Sequence, residues 1–412
     1  MVNKGKKKGN KGKKGLNRDK LPYVSICTPT FNRRPFFEAL VQCVANQDYD
    51  HNKIEWIIVD DGTDCIQDIF QNEEHKEKLK NIKVRYFYEK EKMDLGKKRN
   101  YMHEKCEFQG DEDIIVYMDD DDYYPKERVS HSVQKLVSNP NVLCGGSSEI
   151  FLWFNSLNKM YKFGPYGPNH GTAGTFAFKR KLLKDTSYEN TAVLAEEKHF
   201  LKNYTVPFVQ FEPMKTILVV SHEQNTFDKK RLVNKANHFC KESALQVKDF
   251  IKDDYLLNFY HSHINELLKT YEPGDVKNKP KVLEEIKRRD KERESMADNR
   301  PCGIAIGDDN GNRRELSIKD VKILLQTLQS QNNQFKKKEM ERQSLGENRP
   351  SGIVFAENKD ESTNRKELTI REVKEFMMRI TKENIFLKKK LKEYMEKENT
   401  IDFGDISNTI IS

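Results

Sequence analysis

The sequence predicts a doubly wound, mostly parallel α/β sheet with an antiparallel section, followed by a helical C-terminal region that contains two repeats. Three observations carry this prediction. Short apolar runs alternate with helical patterns along the first part of the chain, which implies strand–helix–strand units. Three of those runs end directly in polar or acidic clusters. The last third of the 412 residues is Lys/Glu/Asn-rich and has few aromatics, so it cannot bury a large core.

In chain order, YVSIC (23–27) reads as a buried strand stopped at Thr28-Pro29, with a helical pattern to about Asn46. EWIIV (55–59) is a second strand running into Asp60-Asp61-Gly62, and VRYFY (84–88) is a third. A helix follows near 94–106, and DIIVYMDDDD (113–122) is a fourth strand that ends in four carboxylates. Residues 145–180 read as antiparallel, 182–201 as helical, TILVV (216–220) as a last strand, and 235–295 as helical and increasingly charged. Ligands of such sheets bind at the carboxyl ends of the strands. Thr28 to Asn32, Asp60 to Asp64 and Asp119 to Asp122 all fall there.

Charge and cysteine usage exclude several classes. Residues 1–20 carry nine Lys/Arg against Asp19, which is the whole net charge of +8; the remainder balances at 64 of each sign. The body therefore has no broad basic face, and nucleic acid is expected only as a non-specific partner of the tail. That tail reads as disordered, attracted to anionic surfaces, and has no aromatic before Tyr23 for base stacking. The seven cysteines are odd in number and scattered without a CxxC pair, as reduced thiols are. No apolar stretch approaches the ~20 residues of a membrane span. The basic N-terminus has no adjoining apolar core, so the expectation is a soluble, cytoplasmic protein.

An internal repeat marks the C-terminal third. NRPCGI (299–304) matches NRPSGI (348–353), and NRRELSIKDVK (312–322) matches NRKELTIREVK (364–374). Beyond them Val321, Leu325, Leu328, Asn332 and Phe335 share spacings of four and three with Val373, Met377, Ile380, Asn384, Leu387, Leu391 and Tyr394. Each is a heptad seam holding one asparagine at the same position, the usual device for fixing register and partner number. The two helices are expected to pair within one chain, to dock on the body, or to form a homo-oligomer.

Four aspartates at a strand end repel one another and raise each other's pKa unless a cation intervenes, and hard carboxylate oxygens suit Mg²⁺ or Mn²⁺. A second acidic pair, Asp60-Asp61, stands at a neighbouring strand end. Two such clusters in one crevice point to a metal-assisted site.

VSICTPTFNR, EWIIVDDGTD, GKKRN and IIVYMDDDDYYP, in that order and spacing, resemble glycosyltransferase family 2 over about residues 22–230. The resemblance implies a GT-A fold, a nucleotide-diphosphate sugar donor (commonly a UDP-sugar), a divalent metal and inversion at the anomeric carbon. Pro29 and Thr30 would line the nucleotide pocket, Asp60 or Asp61 would bond the base, and Arg99 would sit beside the donor nucleotide. The family's DXD motif falls on Asp119, facing the ribose and the metal, and on Asp121, holding the metal; His222 stands where some relatives bring a late metal ligand. The general base falls on Glu197 or Glu196 in VLAEEKHFL, with Glu197 favoured because it takes the second position of the usual Glu-Asp pair. Trp153 is read either as a sugar-stacking or as a core aromatic, and the glycines of GPNHGTAGT (167–175) either as a backbone lying against the donor or as a plain turn.

The implied organisation is a tail (1–20), a catalytic domain (21–232), a helical extension (233–297), repeats at 298–340 and 347–396, and a tail (397–412). The acceptor, whether glycan, lipid or protein, has no motif. Two alternatives stand beside the transferase. A sugar-nucleotidyl transferase should carry a glycine-rich phosphate loop after the first strand, where this chain has TPTFNRR. A scaffold built on a decayed transferase domain should not keep both acidic clusters intact.

Overall fold

The computed structural model describes residues 21–225, 239–307, 313–343, 352–356 and 365–398; the tail expected at 1–20 and all but the first two residues of that expected at 397–412 lie outside them. The chain divides into two compact units, residues 1–286 with 402–412, and residues 287–401.

The first unit is built on β1 (Val24–Thr30), α1 (Phe37–Ala45), β2 (Ile54–Asp60), α2 (Glu73–Lys78), β3 (Lys83–Tyr88), α3 (Leu95–Lys105), β4 (Ile114–Tyr117) and α4 (Arg128–Ser138). Then come β5 (Cys144–Gly146), β6 (Ile150–Phe154), β7 (Lys159–Phe163), β8 (Ala177–Lys179), α5 (Glu197–Phe200), β9 (Phe208–Gln210), β10 (Leu218–Ser221) and β11 (Cys240–Ser243). Among the described residues the main sheet has the order β3-β2-β1-β4-β8-β5-β9. β1 to β4 run parallel and β8 opposes β4, so the doubly wound sheet acquires its antiparallel section as expected. β1, β2 and β4 are buried along their whole length, which explains why they read as continuous apolar runs. A second sheet, β10-β6-β7-β11, packs its apolar residues into the same core.

Four element assignments need correction. β1 continues through Pro29 to Thr30: β2 pairs with it throughout, while β4 pairs only as far as Cys27, so the proline's missing N–H leaves no ladder bond unmade on that side. β4 ends at Tyr117, and the aspartates occupy the turn beyond it. Residues 182–201 are not one helix; only Arg180–Lys184 (a 3₁₀ turn) and α5 are helical. The Asn100 side chain accepts from Tyr188 N at 2.9 Å and donates to Tyr188 O at 2.8 Å, so this backbone bonds across the fold instead of along itself. Within 235–295, β11 forms where helix was expected and pairs antiparallel with β7. Helical structure resumes from Val247 to Lys269, including a π-helical turn at Phe259–His263, and again at Pro280–Asp298.

In the second unit each matched stretch forms a two-stranded antiparallel sheet followed by a long helix. β12 (Pro301–Gly307) pairs with β13 (Arg313–Ser317) ahead of the helix Ile318–Gln343; β14 (Val354–Ala356) pairs with β15 (Arg365–Glu367) ahead of Ile370–Glu398. Of the expected seam, Val321, Leu325, Leu328, Ile380 and Leu387 join Cys302 and Leu316 in one buried cluster, while Leu391 and Tyr394 lie outside the side chains described. Phe335, late in one helix, meets Phe376, early in the other, at 5.6 Å, so the helices run antiparallel within one chain. Asn384 is buried and Asn332 half-buried, and no hydrogen bond links the two amides.

Candidate active site

The carboxyl ends of β1, β2 and β4 lie side by side, as parallel pairing in register requires. Just after β1, Asn32 adopts a left-handed conformation (φ 54°), and its Oδ1 accepts from Thr63 N (2.8 Å) and Asp64 N (3.0 Å). Asparagine is among the few residues that tolerate this backbone, and here it staples the β1 and β2 ends together. Asp60 is committed to the same loop: its oxygens accept from Gly62 N (2.9 Å), Ile66 N (3.3 Å) and the Tyr86 hydroxyl (2.7 Å). Asp61 accepts from Met93 N (2.7 Å) and from Lys98, whose Nζ also donates to Thr30 O at 2.8 Å. Pro29 and Thr30 pair in register with Val59 and Asp60, and Lys98 links the Thr30 carbonyl to Asp61.

The four aspartates beyond β4 divide their work. Asp122 is structural, accepting from Val220 N at 2.9 Å through its side chain and from Tyr260 through its carbonyl. Asp120 is buried, and burial, reinforced by the charge of Asp121, holds its carboxyl well above the ordinary range. Burial raises Asp119 as well, against the opposing pull of Arg99. Asp121 reaches towards His222 and Arg33: its Oδ2 lies 3.2 Å from His222 Nε2 and 3.6 Å from Arg33 Nε.

α3 delivers Arg99 into the middle of the site. An ideal Cβ on Gly96 would stand 2.0 Å from Glu189 O, so only glycine lets the start of α3 press against the 189–192 segment. Gly96 N donates to Ala192 O at 2.9 Å in that contact. Arg99 Nε donates to Glu196 Oε1 at 2.8 Å, and Arg99 Nη2 lies 3.5 Å from Asp119 Oδ1. The guanidinium also rests on the Tyr117 ring, 4.4 Å from its centroid. Ala195 precedes the two glutamates in a left-handed conformation (φ 54°), a backbone that alanine holds at a cost of about 1–2 kcal/mol. Glu196 and Glu197 are both buried, with Glu197 opening α5.

Asp119 and Asp121 with His222 offer the oxygen and imidazole donors of a hard-to-borderline divalent cation. The fit can be tested at His222. Its backbone N–H donates to Asn225 Oδ1 (2.7 Å), which turns Asn225 Nδ2 towards His222 Nε2 at 2.9 Å. The Asp121 oxygen stands at the same Nε2 at 3.2 Å, so one carboxylate and one imidazole nitrogen converge where an ion could be held. Among the described residues no three His, Cys, Asp or Glu side chains form a ready-made cage. An ion held here would have one or two carboxylates as ligands and would need others to complete its shell.

Among the described residues, buried polar atoms of the site without a hydrogen-bond partner include Arg99 Nη1 and Glu196 Oε2. Buried groups of this kind cost about 1–3 kcal/mol each when left unmet, so they mark where a polar ligand belongs. Other features resolve to packing. Trp153 is a core residue stacked on His261 (5.6 Å), and Gly174 packs so closely on Asp119 that an ideal Cβ would stand 2.6 Å from its Oδ2. Sequence reading missed Lys98 and Arg33, although both sit inside the motifs GKKRN and TFNRR.

No helix among the described residues is long and apolar enough to cross a membrane. No curated protein matches the sequence. Among solved structures, the chain is similar to a mannosyltransferase, PcManGT from Pyrobaculum calidifontis in complex with GDP-Man and Mn²⁺, at 17% identity and a TM-score of 0.41, covering 60% of this chain and 70% of that one. It is also similar to S. aureus TarS 1-349 in complex with UDP-GlcNAc (18% identity, TM-score 0.36, 60% of this chain and 70% of that one). Full TarS aligns at 16% identity and a TM-score of 0.38, over 71% of this chain and 60% of that one. Residues 25–196, which span β1 to Glu196, match the family model described as Glycosyl transferase family 2, so this segment of the chain is a glycosyltransferase family 2 domain.

Proposed function

We propose that the chain transfers a sugar from a nucleoside-diphosphate sugar, with UDP-sugars the first class to try, to an acceptor hydroxyl by a single inverting displacement. The observation that carries this reading is the Asp119–Arg99–Glu196 bridge, which ties the acidic turn after β4 to the glutamate pair.

Asp119 and Asp121, with His222, would hold Mn²⁺ or Mg²⁺, which supplies positive charge for the departing diphosphate. Pro29, Thr30 and Asp61 would border the nucleotide, with Lys98 holding Asp61 in place. Asp60 is read as a loop anchor, since the loop occupies its oxygens. Glu197 would take the proton from the acceptor hydroxyl, and Glu196 would serve as the positioning residue that aims Arg99. The burial of both glutamates at the start of α5 supports this reading, since a general base acts best away from bulk water.

Hydrolysis of a panel of nucleotide sugars, in Mn²⁺ and in EDTA, tests the reading. One donor should be cleaved in Mn²⁺ only, and Asp121→Ala should abolish the cleavage with the melting temperature little changed. Equal turnover in EDTA would remove the metal assignment; failure to bind any nucleoside diphosphate would remove the transferase chemistry.

A further inference from the structure

A segment from beyond the family-matched residues closes over the same edge of the sheet. Residues 271–281 form a strap pinned at both ends. Tyr271 donates its hydroxyl to Asp64 Oδ2 (2.8 Å), Asn32 Nδ2 donates to Pro273 O (2.9 Å), and Arg33 Nη1 donates to Gly274 O (3.2 Å). At the far end Lys92 donates to Asn278 O (3.2 Å), and Lys281 pairs with Asp94 at 3.0 Å.

The strap brings one cation into the site. Lys279 Nζ stands 6.0 Å from the Phe31 ring centroid, over which Lys92 Nζ also sits at 3.8 Å. Asp120 and Asp121 attract Lys279, while Arg33 and Lys92 repel it. Arg33, Lys92 and Lys279 thus gather beside Asp120 and Asp121 in a half-buried crevice, with Asp61 and Asp94 also acting on Lys92. Like charges gathered away from water are costly unless an anion completes them. A departing nucleoside diphosphate, whose terminal phosphate is mostly doubly ionised at neutral pH, is an anion of that kind.

We propose that Lys279 is a donor-binding residue that grips the diphosphate of the nucleotide, so that the donor site of this chain is completed by a strap outside its family-matched segment. This rests on the nucleotide-sugar reading above. Burial, then Arg33, holds the Lys279 ammonium below the ordinary lysine range, and a bound phosphate would restore the charged form.

Calorimetric titration of the full chain in Mn²⁺ with UDP and GDP, each against its monophosphate, tests the assignment. Lys279→Met should weaken the preferred diphosphate about tenfold or more, the usual scale of a charge-assisted contact, and the monophosphate by clearly less. Lys279→Arg should restore most of the affinity. Lys277→Met, which removes an exposed lysine paired with Asp275, should behave as wild type. Unchanged diphosphate affinity in Lys279→Met would overturn the proposal, as would an equal loss for both nucleotides accompanied by a lowered melting temperature, which would make the lysine part of the strap's packing. If the wild-type chain binds neither diphosphate, the transferase reading itself fails, and the role of Lys279 with it.

Discussion

Arg99 and Glu196 are 97 positions apart in the sequence, and their side chains meet at 2.8 Å in a fully buried pair. The same guanidinium lies 3.5 Å from Asp119, so one residue of α3 links the acidic turn to the glutamate pair. Removing the arginine would leave two carboxylates uncompensated in the interior. Breaking a buried pair in this way costs roughly 3–5 kcal/mol. Arg99→Met should therefore lower both the melting temperature and turnover. Arg99→Lys keeps the charge but loses the planar fork, and should keep more stability than activity. Thermal melts beside donor-hydrolysis rates separate the two effects; a stable, fully active Arg99→Met would show that the bridge has no role in either.

The glutamates can be told apart by the same logic. Glu197→Gln removes a proton acceptor at constant size and should lower turnover by about 10²–10⁴-fold, the common share of general-base catalysis, with donor affinity little changed. Glu196→Gln keeps one hydrogen bond to Arg99 and should act mainly on stability. Single-turnover kinetics on both variants decide between them. A larger kinetic loss in Glu196→Gln would transfer the base to that residue.

The strand ends were legible because β1, β2 and β4 are buried on both faces, so their apolar runs stop where the crevice begins. The acidic turn, Asp61 and Arg99 were readable for the same reason. Residues 182–201 were misread because the Asn100 amide, from a distant helix, takes the hydrogen bonds of Tyr188, and no local pattern reports that. Arg33 carried a motif but not its partner, Gly274, which lies 241 residues later.

Stability should fall in acid partly through two histidines. Burial pushes His103 down to about 3 and His131 down to about 4. His131 Nε2 accepts from Glu212 N at 3.0 Å, which requires the neutral ring. With folded values below the unfolded value of about 6.5, the folded state binds fewer protons than the unfolded one across that interval. The stability contributed is present above pH 6.5 and is lost as the pH falls towards 4. His131→Gln can still accept from Glu212 N–H but does not titrate. Its melting temperature should therefore drop less than that of the wild type between pH 7 and pH 4.5. Parallel curves for the two proteins would remove His131 from the acid response.

Every residue assigned to the donor site lies at or before Lys279, and the helix Pro280–Asp298 ends the segment that follows the strap. A chain ending at residue 298 should therefore keep donor hydrolysis and nucleotide affinity. The helices Ile318–Gln343 and Ile370–Glu398 have a separate feature to explain. Their seams are buried against each other, yet Met340 (72% exposed), Ile385 (62%), Met378 (58%) and Phe386 (55%) stay open to solvent. Large apolar side chains exposed together are a surface that a second copy or another partner would cover. Size-exclusion chromatography with light scattering on the full chain and the 1–298 chain measures this directly. The expected result is a dimer or larger for the full chain and a monomer for the shorter one, at equal hydrolysis rates. Monomer masses for both would remove the homo-oligomer, and loss of hydrolysis on truncation would make the repeats part of the catalytic machinery.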